Sequence, residues 1–295
     1  MIFKNVSLLF ALLVLGLIVL MGFKMYLDSR PSILKFGLEF LTSSTWDPVQ
    51  EKYGALPFIF GTLMSAGIAL AISLPLGLGV AIFLSELAPP RIERPLSFLI
   101  ELLAGIPSIV YGLWGIFVLV PWIRTSVEPS VSKYLGFLPI FEGAPYGFGM
   151  LAAGLILAVM ILPIIASISR DVLKSVPQLH REAALAIGAT RWESTRMILR
   201  DARSGILGAT LLGLGRAIGE TMAVTMVIGN RPTISFSLFD PGYTMASVLA
   251  NEFTEATSSM YVSALIEIAL LLFLVTIIIN MLARLLVWSV TRNGR

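Results

Sequence analysis

Long apolar runs alternate with shorter polar segments along the whole chain. Each run is long enough to cross a bilayer as a helix, because an α-helix rises about 1.5 Å per residue and the hydrocarbon core is about 30 Å thick. This pattern predicts an all-α, polytopic membrane protein with six transmembrane helices. The predicted spans are residues 6–27, 57–86, 96–122, 146–169, 205–229 and 262–288.

The polar segments divide the chain into two predicted parts. Residues 1–56 are expected to form a first transmembrane helix and an external loop, and residues 57–290 a transmembrane domain with a polar loop at 170–204. A cleavable signal peptide is the alternative for the first run, but no small-residue cleavage site follows it. Between the last two spans, helical spacing predicts a short amphipathic helix that packs into the outer mouth. Its apolar positions are Met245, Val248, Leu249 and Phe253.

Lysine and arginine concentrate on one side of the predicted spans. That side holds the turn at Arg91 and Arg94, the loop 170–204 and both termini. Because cytoplasmic loops of membrane proteins carry an excess of Lys and Arg, we expect both termini to be cytoplasmic.

Composition narrows the possible functions. The 295 residues are 57% hydrophobic and only 13% charged, whereas soluble domains carry about a quarter charged residues. The absence of cysteine excludes disulfides and thiolate metal sites, and His180 is the single histidine. No basic stripe with interleaved aromatic residues occurs outside the apolar runs, so we do not expect nucleic-acid binding. A phosphate-binding P-loop is also absent, since Lys174-Ser175 lacks the glycines of that motif.

The loop between the fourth and fifth spans reads as two helices joined by a glycine turn. Ser175 with Gln178 fits a capping box that opens the first helix, and Pro177 is acceptable in its first turn. Gly188 follows the first helix, where a left-handed backbone conformation is needed. Thr190 with Glu193 is a second capping box and opens the second helix.

The first of these helices carries a small apolar face of Leu179, Ala183, Ala184 and Ile187. Small residues there would let a partner protein approach closely. The alternative is an amphipathic segment on the membrane surface, held among anionic headgroups by its arginines. The residues alone do not separate these two interpretations.

Arg216 and Glu220 are charged residues inside the fifth predicted span. Arg216 lies eleven residues past Gly205, roughly 16 Å along the helix, and Glu220 is expected on the same face within side-chain reach. An internal ion pair that only holds the helix is the structural alternative, yet intramembrane charges are costly and usually functional. We therefore expect Arg216 either to contact an anionic substrate transiently or to gate its pathway, with Glu220 as its counter-ion. Glu101 and Glu267 are interpreted as helix-end charges that reach the interface.

Four segments resemble one transporter family. They are Val176-Pro177 followed by Glu182-Ala183-Ala184 and Gly188, LLAGIPSIVYGLWG at 102–115, GLGRAIGETMAVTMVIGN at 213–230 and ASVLANEFTEA at 246–256. Together they resemble the permease subunits of phosphate ABC importers, which have the type I (MetI-like) permease fold. The likeness covers most of the chain from the second span onward.

The resemblance implies a transmembrane permease subunit of an ATP-driven importer for inorganic phosphate. It implies that Glu182, Ala183, Ala184 and Gly188 belong to a coupling helix that docks on an ATPase subunit. The implied partners are a second permease subunit, an ATPase dimer, an external phosphate-binding protein and membrane lipid. ATP and Mg²⁺ would bind the partner ATPase, with no cofactor on this chain, which would then be no enzyme by itself.

Three alternatives to this function stay open. The first keeps the transporter class and changes the cargo to another oxyanion or solute. The second is an ion-coupled secondary carrier with Arg216 and Glu220 as a proton relay, although no inverted repeat is evident. The third is an intramembrane enzyme, which the absence of an H-E-x-x-H motif disfavours.

One stretch departs from the family pattern. The coupling loop of the family ends with a Leu-Pro pair, whereas this chain has Ile198-Leu199-Arg200-Asp201 there. Two expectations follow from the missing proline: the docking geometry of the loop differs from that of the family, or the second loop helix continues directly into the fifth span, since no proline interrupts it.

Overall fold

The computed structural model describes residues 2–292, and every regular element in this range is helical. An isolated bridge between Asp47 and Lys52 is the one extended pairing in that range. The first helices are α1 (Ile2–Phe36), α2 (Glu39–Thr42), α3 (Leu56–Leu87, with a π-helical last turn), α4 (Pro90–Ala104) and α5 (Ser108–Leu135). They are followed by α6 (Met150–Ser175), α7 (Gln178–Ala186), α8 (Arg191–Gly219), α9 (Met222–Val227), α10 (Met245–Glu252) and α11 (Ser259–Arg292).

Five of these helices are long and apolar enough to cross a membrane, namely α1, α3, α5, α6 and α11. The all-α, multi-span prediction is therefore confirmed. The helix that corresponds to the fifth predicted span, α8, also begins with the charged residues of the loop. Residues 1 and 293–295 lie outside the described range, and the side of the membrane on which the chain ends lie stays a prediction.

Helix α6 forms the centre of the fold. It is the most enclosed of the five apolar helices, because 61% of its most apolar 18-residue stretch is buried. Small residues allow its close approach to α3: a Cβ at Gly77 would touch Ile165, and one at Gly154 would collide with Ile68. Helices pack in this way in membranes because small side chains let backbones approach, which increases van der Waals contact.

The third predicted span is wrong, since residues 96–122 do not form one helix. The chain leaves the helix after Ala104, and α5 begins only at Ser108. The cause is Pro107, which lacks an N–H donor and disfavours helical geometry in the residue before it. Helix α5 then continues well beyond Trp122 through two π-helical turns, Gly115–Leu119 and Ile123–Val127. The segment between the third and fourth predicted spans therefore contains less loop than the predicted spans imply.

The fifth predicted span is also interrupted. Helix α8 runs without a break from Arg191 to Gly219, so the predicted continuity between the loop and the span is confirmed. The helix ends at Glu220, whose backbone is extended at φ −71° and ψ 125°. The short helix α9 follows after one further residue, and residues 228–244 form a loop.

The first helix is longer than predicted and lies at the edge of the fold. Helix α1 continues to Phe36 and packs along α11. Ser263 joins the two helices, accepting from the Ser32 N–H at 3.1 Å and donating to the Asp28 carbonyl at 3.0 Å. Glu267 is only 6% exposed, so the expectation that it reaches the membrane interface is wrong.

The short helix predicted before α11 is present, and most of its predicted apolar positions pack against the rest of the chain, with Phe253 as the exception. In α10, Met245 and Val248 are fully buried, Leu249 is half-buried and Phe253, just past its end, is exposed. Glu252 fixes the end of this helix, because its carboxylate accepts hydrogen bonds from the Trp46 indole (2.7 Å) and the Tyr261 hydroxyl (2.6 Å).

Close packing of α3 against the segment before α10 gives a first testable prediction. A Cβ at Gly61 would collide with the backbone carbonyl of Tyr243, whereas a Cβ at Gly67 on the same helix would meet nothing within 4 Å. We expect Gly61→Ala to destabilise the protein by about 1–3 kcal/mol through overpacking. Thermal unfolding in detergent measures the effect, with Gly67→Ala as the matched control. Equal melting temperatures for the two variants would contradict this packing.

Candidate functional site

The turn between α7 and α8 has the geometry that its sequence predicts. Gly188 has a positive φ of +87°. Its N–H donates to the Leu185 carbonyl at 3.0 Å, and the N–H of Ala189 donates to the Ala184 carbonyl at 3.1 Å. These two bonds form a Schellman motif, in which a glycine without a Cβ adopts the left-handed conformation at little cost. The glycine thus fixes the direction in which the chain leaves α7.

One of the two predicted capping boxes is confirmed. The Thr190 N–H donates to the Glu193 carboxylate at 2.7 Å, and the Glu193 N–H donates to the Thr190 hydroxyl at 3.3 Å. Acceptance of the Thr190 N–H bond lowers the pKa of Glu193. The other box is wrong: Pro177 is the N-cap residue of α7, and the Ser175 hydroxyl donates instead to the Val172 carbonyl.

Most of the predicted coupling residues lie at the surface of α7. Glu182 and Ala183 are exposed, whereas Ala184 is buried against the rest of the chain. Leu179 is 70% exposed and Ile187 is 86% exposed, so the described chain does not cover these two residues of the apolar face. Among residues 2–292, the Glu182 carboxylate has no hydrogen-bond or ion-pair partner. Such a surface is available to a partner protein or to headgroups.

Helix α8 presents two contrasting faces near Arg216. Ala209 and Ala217 are buried, and a Cβ at Gly213 would meet Ile165 of α6 at 2.9 Å. On the opposite side, a Cβ would meet nothing within 4 Å at the following glycines: Gly208, Gly215 and Gly219. Arg216 is half-buried between the two faces. Its guanidinium therefore lies at the border between the packed core and an open surface.

The predicted pairing of Arg216 with Glu220 is wrong in this structure. The helix ends at Glu220, and its carboxylate accepts from the Ala223 N–H at 3.3 Å, at the start of α9. No ion pair joins the two side chains within the described part of the chain. The Arg216 Nε is buried and has no hydrogen-bond partner. Within residues 2–292, no carboxylate lies within ion-pair distance of the Arg216 guanidinium.

Helix α5 packs against α9, the short helix that follows Glu220. The sequence did not predict this contact. A Cβ at Gly112 would touch Ala223 of α9 at 3.2 Å, and one at Gly115 would touch Val227 at 2.7 Å. The Tyr111 hydroxyl donates to the Leu103 carbonyl at 2.8 Å and so bridges the break between α4 and α5. The glycines of this apolar run were the available signal for the α5–α9 contact.

Three ion pairs join the end of α3 and helix α4 to α6 and α7. They are Glu86 with Arg181, Glu93 with Lys174, and Glu101 with Arg170. Glu101 remains exposed, in agreement with the expectation that it reaches the interface, but it also pairs with Arg170 of α6. These pairs have no local signal in the sequence, because their members are 95, 81 and 69 residues apart.

Comparison with known sequences identifies close relatives. The family model described as "Binding-protein-dependent transport system inner membrane component" matches residues 73–288. A "Phosphate transport system permease protein PstC" of Haemophilus influenzae is 49% identical, over 97% of this chain and 92% of its own. The protein of that name in Mesorhizobium japonicum is 47% identical, over 96% of this chain and 89% of its own. A "Probable phosphate transport system permease protein PstC" of Methanocaldococcus jannaschii is 35% identical, over 90% of this chain and 86% of its own.

Solved structures show the same fold at low sequence identity. A chain of the MetNI methionine ABC transporter, in an inward-facing conformation, aligns with a TM-score of 0.61 and 20% identity, covering 83% of this chain and 99% of its own. A chain of a bacterial alginate ABC transporter aligns with a TM-score of 0.61 and 14% identity, covering 95% of this chain and 93% of its own. These likenesses establish the helical arrangement alone.

Proposed function

Because this chain belongs to the family of binding-protein-dependent transport system inner membrane components, we propose that it is the phosphate-translocating permease subunit of an ABC importer. The observation that carries this conclusion is near full-length identity of 44–49% to permeases named for phosphate transport. The chain is a multi-pass inner-membrane protein with the permease fold of ABC transporters. It works within a transporter complex.

The unpaired Arg216 supports an anionic cargo. A guanidinium offers a planar fork of donors that matches a phosphate oxyanion, and Arg216 lies beside the open face of α8 without an ion-pair partner in the described part of the chain. Leaving its buried Nε unsatisfied costs free energy that an entering anion recovers. We propose that Arg216 contacts phosphate transiently. Glu220, which caps α9 in this structure, would approach Arg216 only if the chain at 220–221 rearranged.

The finer composition of the complex is also a proposal. A second permease subunit would complete the pathway against the glycine-lined face of α8, since that face has room for a closely packed helix. An ATPase dimer would bind the exposed face of α7 with Glu182, Ala183 and the turn at Gly188. The external partner would be a phosphate-binding protein. ATP and Mg²⁺ would bind the ATPase, because this sequence has no P-loop.

The excess of Lys and Arg places α7 and both chain ends on the cytoplasmic side in this proposal. That side is where ATP is available to the partner ATPase. The opposite side would hold α10 and the segment at 37–55, which face the external binding protein.

Affinity purification from membranes tests the proposed function. We expect an ATPase and a second permease to co-purify with this chain. In proteoliposomes with the external binding protein, phosphate should stimulate ATP hydrolysis and uptake, whereas sulfate should do neither. Stimulation by sulfate would reassign the cargo. Phosphate uptake by the purified chain without any ATPase would instead establish a secondary carrier.

A further inference from the structure

Three acidic residues on one segment face three basic residues on another in antiparallel order. Glu86, Glu93 and Glu101 follow one another from the end of α3 along α4, and they pair respectively with Arg181, Lys174 and Arg170. We call these three pairs the ion-pair ladder. It fastens α4 to the segment that ends α6 and forms α7.

The pair at the α7 end of the ladder is the best enclosed. The Glu86 side chain is only 8% exposed and that of Arg181 22%. Arg181 donates to both carboxylate oxygens of Glu86, at 2.8 and 3.1 Å. Enclosed pairs are screened little by salt, and removing one partner leaves the other charge uncompensated.

Arg181 also joins α7 to α6. Its guanidinium donates to the Leu173 carbonyl at 2.9 Å and the Val176 carbonyl at 2.8 Å, both at the carboxyl-terminal end of α6. Hydrogen bonding to Glu86 raises the pKa of Arg181, which keeps the cation permanent. One side chain on α7 therefore holds three segments, and α7 cannot shift without moving them or breaking these bonds.

The other end of the ladder leads to the surroundings of Arg216. Glu101 lies four residues before the break at 105–107, where the Tyr111 hydroxyl holds the Leu103 carbonyl. Beyond the break, α5 packs against α9 through Gly112 and Gly115. Helix α9 starts directly after Glu220 and Thr221. These contacts form a continuous connection from α4 to the segment that follows Arg216.

We propose that the ion-pair ladder transmits displacements of α7 through α4 to the break at 105–107, making Glu86 and Arg181 positioning residues for transport. This route rests on the proposed docking of an ATPase on α7. It runs in parallel with α8, which leads directly from the Gly188 turn to Arg216. The two routes meet where α9 packs against α5. Because they approach Arg216 from opposite sides of the break at Glu220, moving one relative to the other would reshape the site.

Glu86→Gln tests the ladder in the co-purified complex, reconstituted into proteoliposomes. Glutamine keeps the size of the side chain and removes its charge. We expect phosphate transported per ATP hydrolysed to fall about tenfold, a typical magnitude for coupling between sites. Glu142→Gln, an exposed carboxylate outside the ladder, is the control and should keep the wild-type ratio.

A distance measurement separates transmission from a purely structural role. The chain has no cysteine, so spin labels can be attached at cysteines introduced at Leu99 of α4 and Leu285 of α11, both exposed. We expect Mg-ATP bound to the partner ATPase to change the distance between the labels in the otherwise wild-type chain. In Glu86→Gln this change should disappear. A variant that keeps both the transport ratio and the distance change overturns the proposal.

A charge exchange provides a second variant if Glu86→Gln does not assemble. Glu93→Lys and Lys174→Glu each place like charges together, and the double variant restores an ion pair. We expect each single variant to reduce the transport ratio, by about two- to fivefold for this partly exposed pair, and the double variant to recover it. Single variants without effect overturn the ladder. Loss of ATP-driven phosphate uptake in the wild-type complex would instead refute the proposed function, so the two failures are distinguishable.

Discussion

Arg216→Gln is expected to abolish most phosphate uptake while the complex still assembles. Hydrogen bonds to a charged group contribute about 1.5–3 kcal/mol, and loss of about 2–3 kcal/mol corresponds to roughly 30- to 150-fold in rate or affinity. The variant should fold normally, because the wild-type guanidinium has no ion pair within the described chain and its Nε has no hydrogen-bond partner. Uptake of radiolabelled phosphate into proteoliposomes measures the loss.

Two comparisons sharpen this test. Arg216→Lys keeps the charge but loses the planar fork of donors, so it should retain more uptake than Arg216→Gln. Arg94→Gln removes an exposed arginine of α4 that lies outside the ladder pairs, and it should transport normally. Undiminished uptake by an assembled Arg216→Gln complex would contradict a role for this residue in the pathway.

Local signals in the sequence predicted much of the coupling region. The turn at Gly188 and the capping box of Thr190 with Glu193 depend on residues within a few positions of one another, and both form as predicted. The absence of proline after Ile198 predicted the continuity of α8. Capping and turn geometry are accessible to sequence reasoning because their energetics involve neighbouring residues.

The two breaks in the predicted spans are harder to predict from the sequence than the turn and the capping box. Pro107 was visible in the sequence, but a proline within an apolar run produces either a kink or a complete break. The end of α8 at Glu220 has an even weaker signal, because only Gly219 precedes it and no proline follows. The Glu220 carboxylate stabilises the break by accepting the Ala223 N–H, an interaction that exists only once the helix has ended. A prediction from hydropathy alone therefore continues a helix through both positions.

The ion-pair ladder could not be predicted because its pairs are entirely nonlocal. Glu101 had nearer cations in sequence, including Arg94, yet it pairs with Arg170 across 69 residues. The packing of α4 on α6 brings these two together. A single sequence contains the charges but not the contact that assigns partners to them. The same limit applies to Arg216, whose expected partner four residues away is displaced by the helix end.

Glu182→Lys is expected to uncouple ATP hydrolysis from transport. Glu182 is exposed and has no partner within residues 2–292, so the substitution leaves the fold of this chain intact. In the proposed docking, the Glu182 carboxylate is matched by a cationic group of the ATPase, so a lysine in its place would bring like charges together at a cost of several kcal/mol. We expect phosphate uptake to fall at least tenfold, with residual ATP hydrolysis no longer stimulated by phosphate. Both rates are measured on the same proteoliposomes.

The control is Gln178→Lys, which adds a positive charge to the first turn of the same helix. Gln178 is exposed and four residues from Glu182, so this variant reproduces the effect of charge near α7 without removing the carboxylate. Uncoupling in Glu182→Lys with normal transport in Gln178→Lys assigns the contact to Glu182. Equal loss in both would indicate that the arginine-rich loop responds to charge in general, as a segment on the membrane surface does. Wild-type coupling in Glu182→Lys would rule out docking through this carboxylate, leaving Leu179 and Ile187 as the contacts to test.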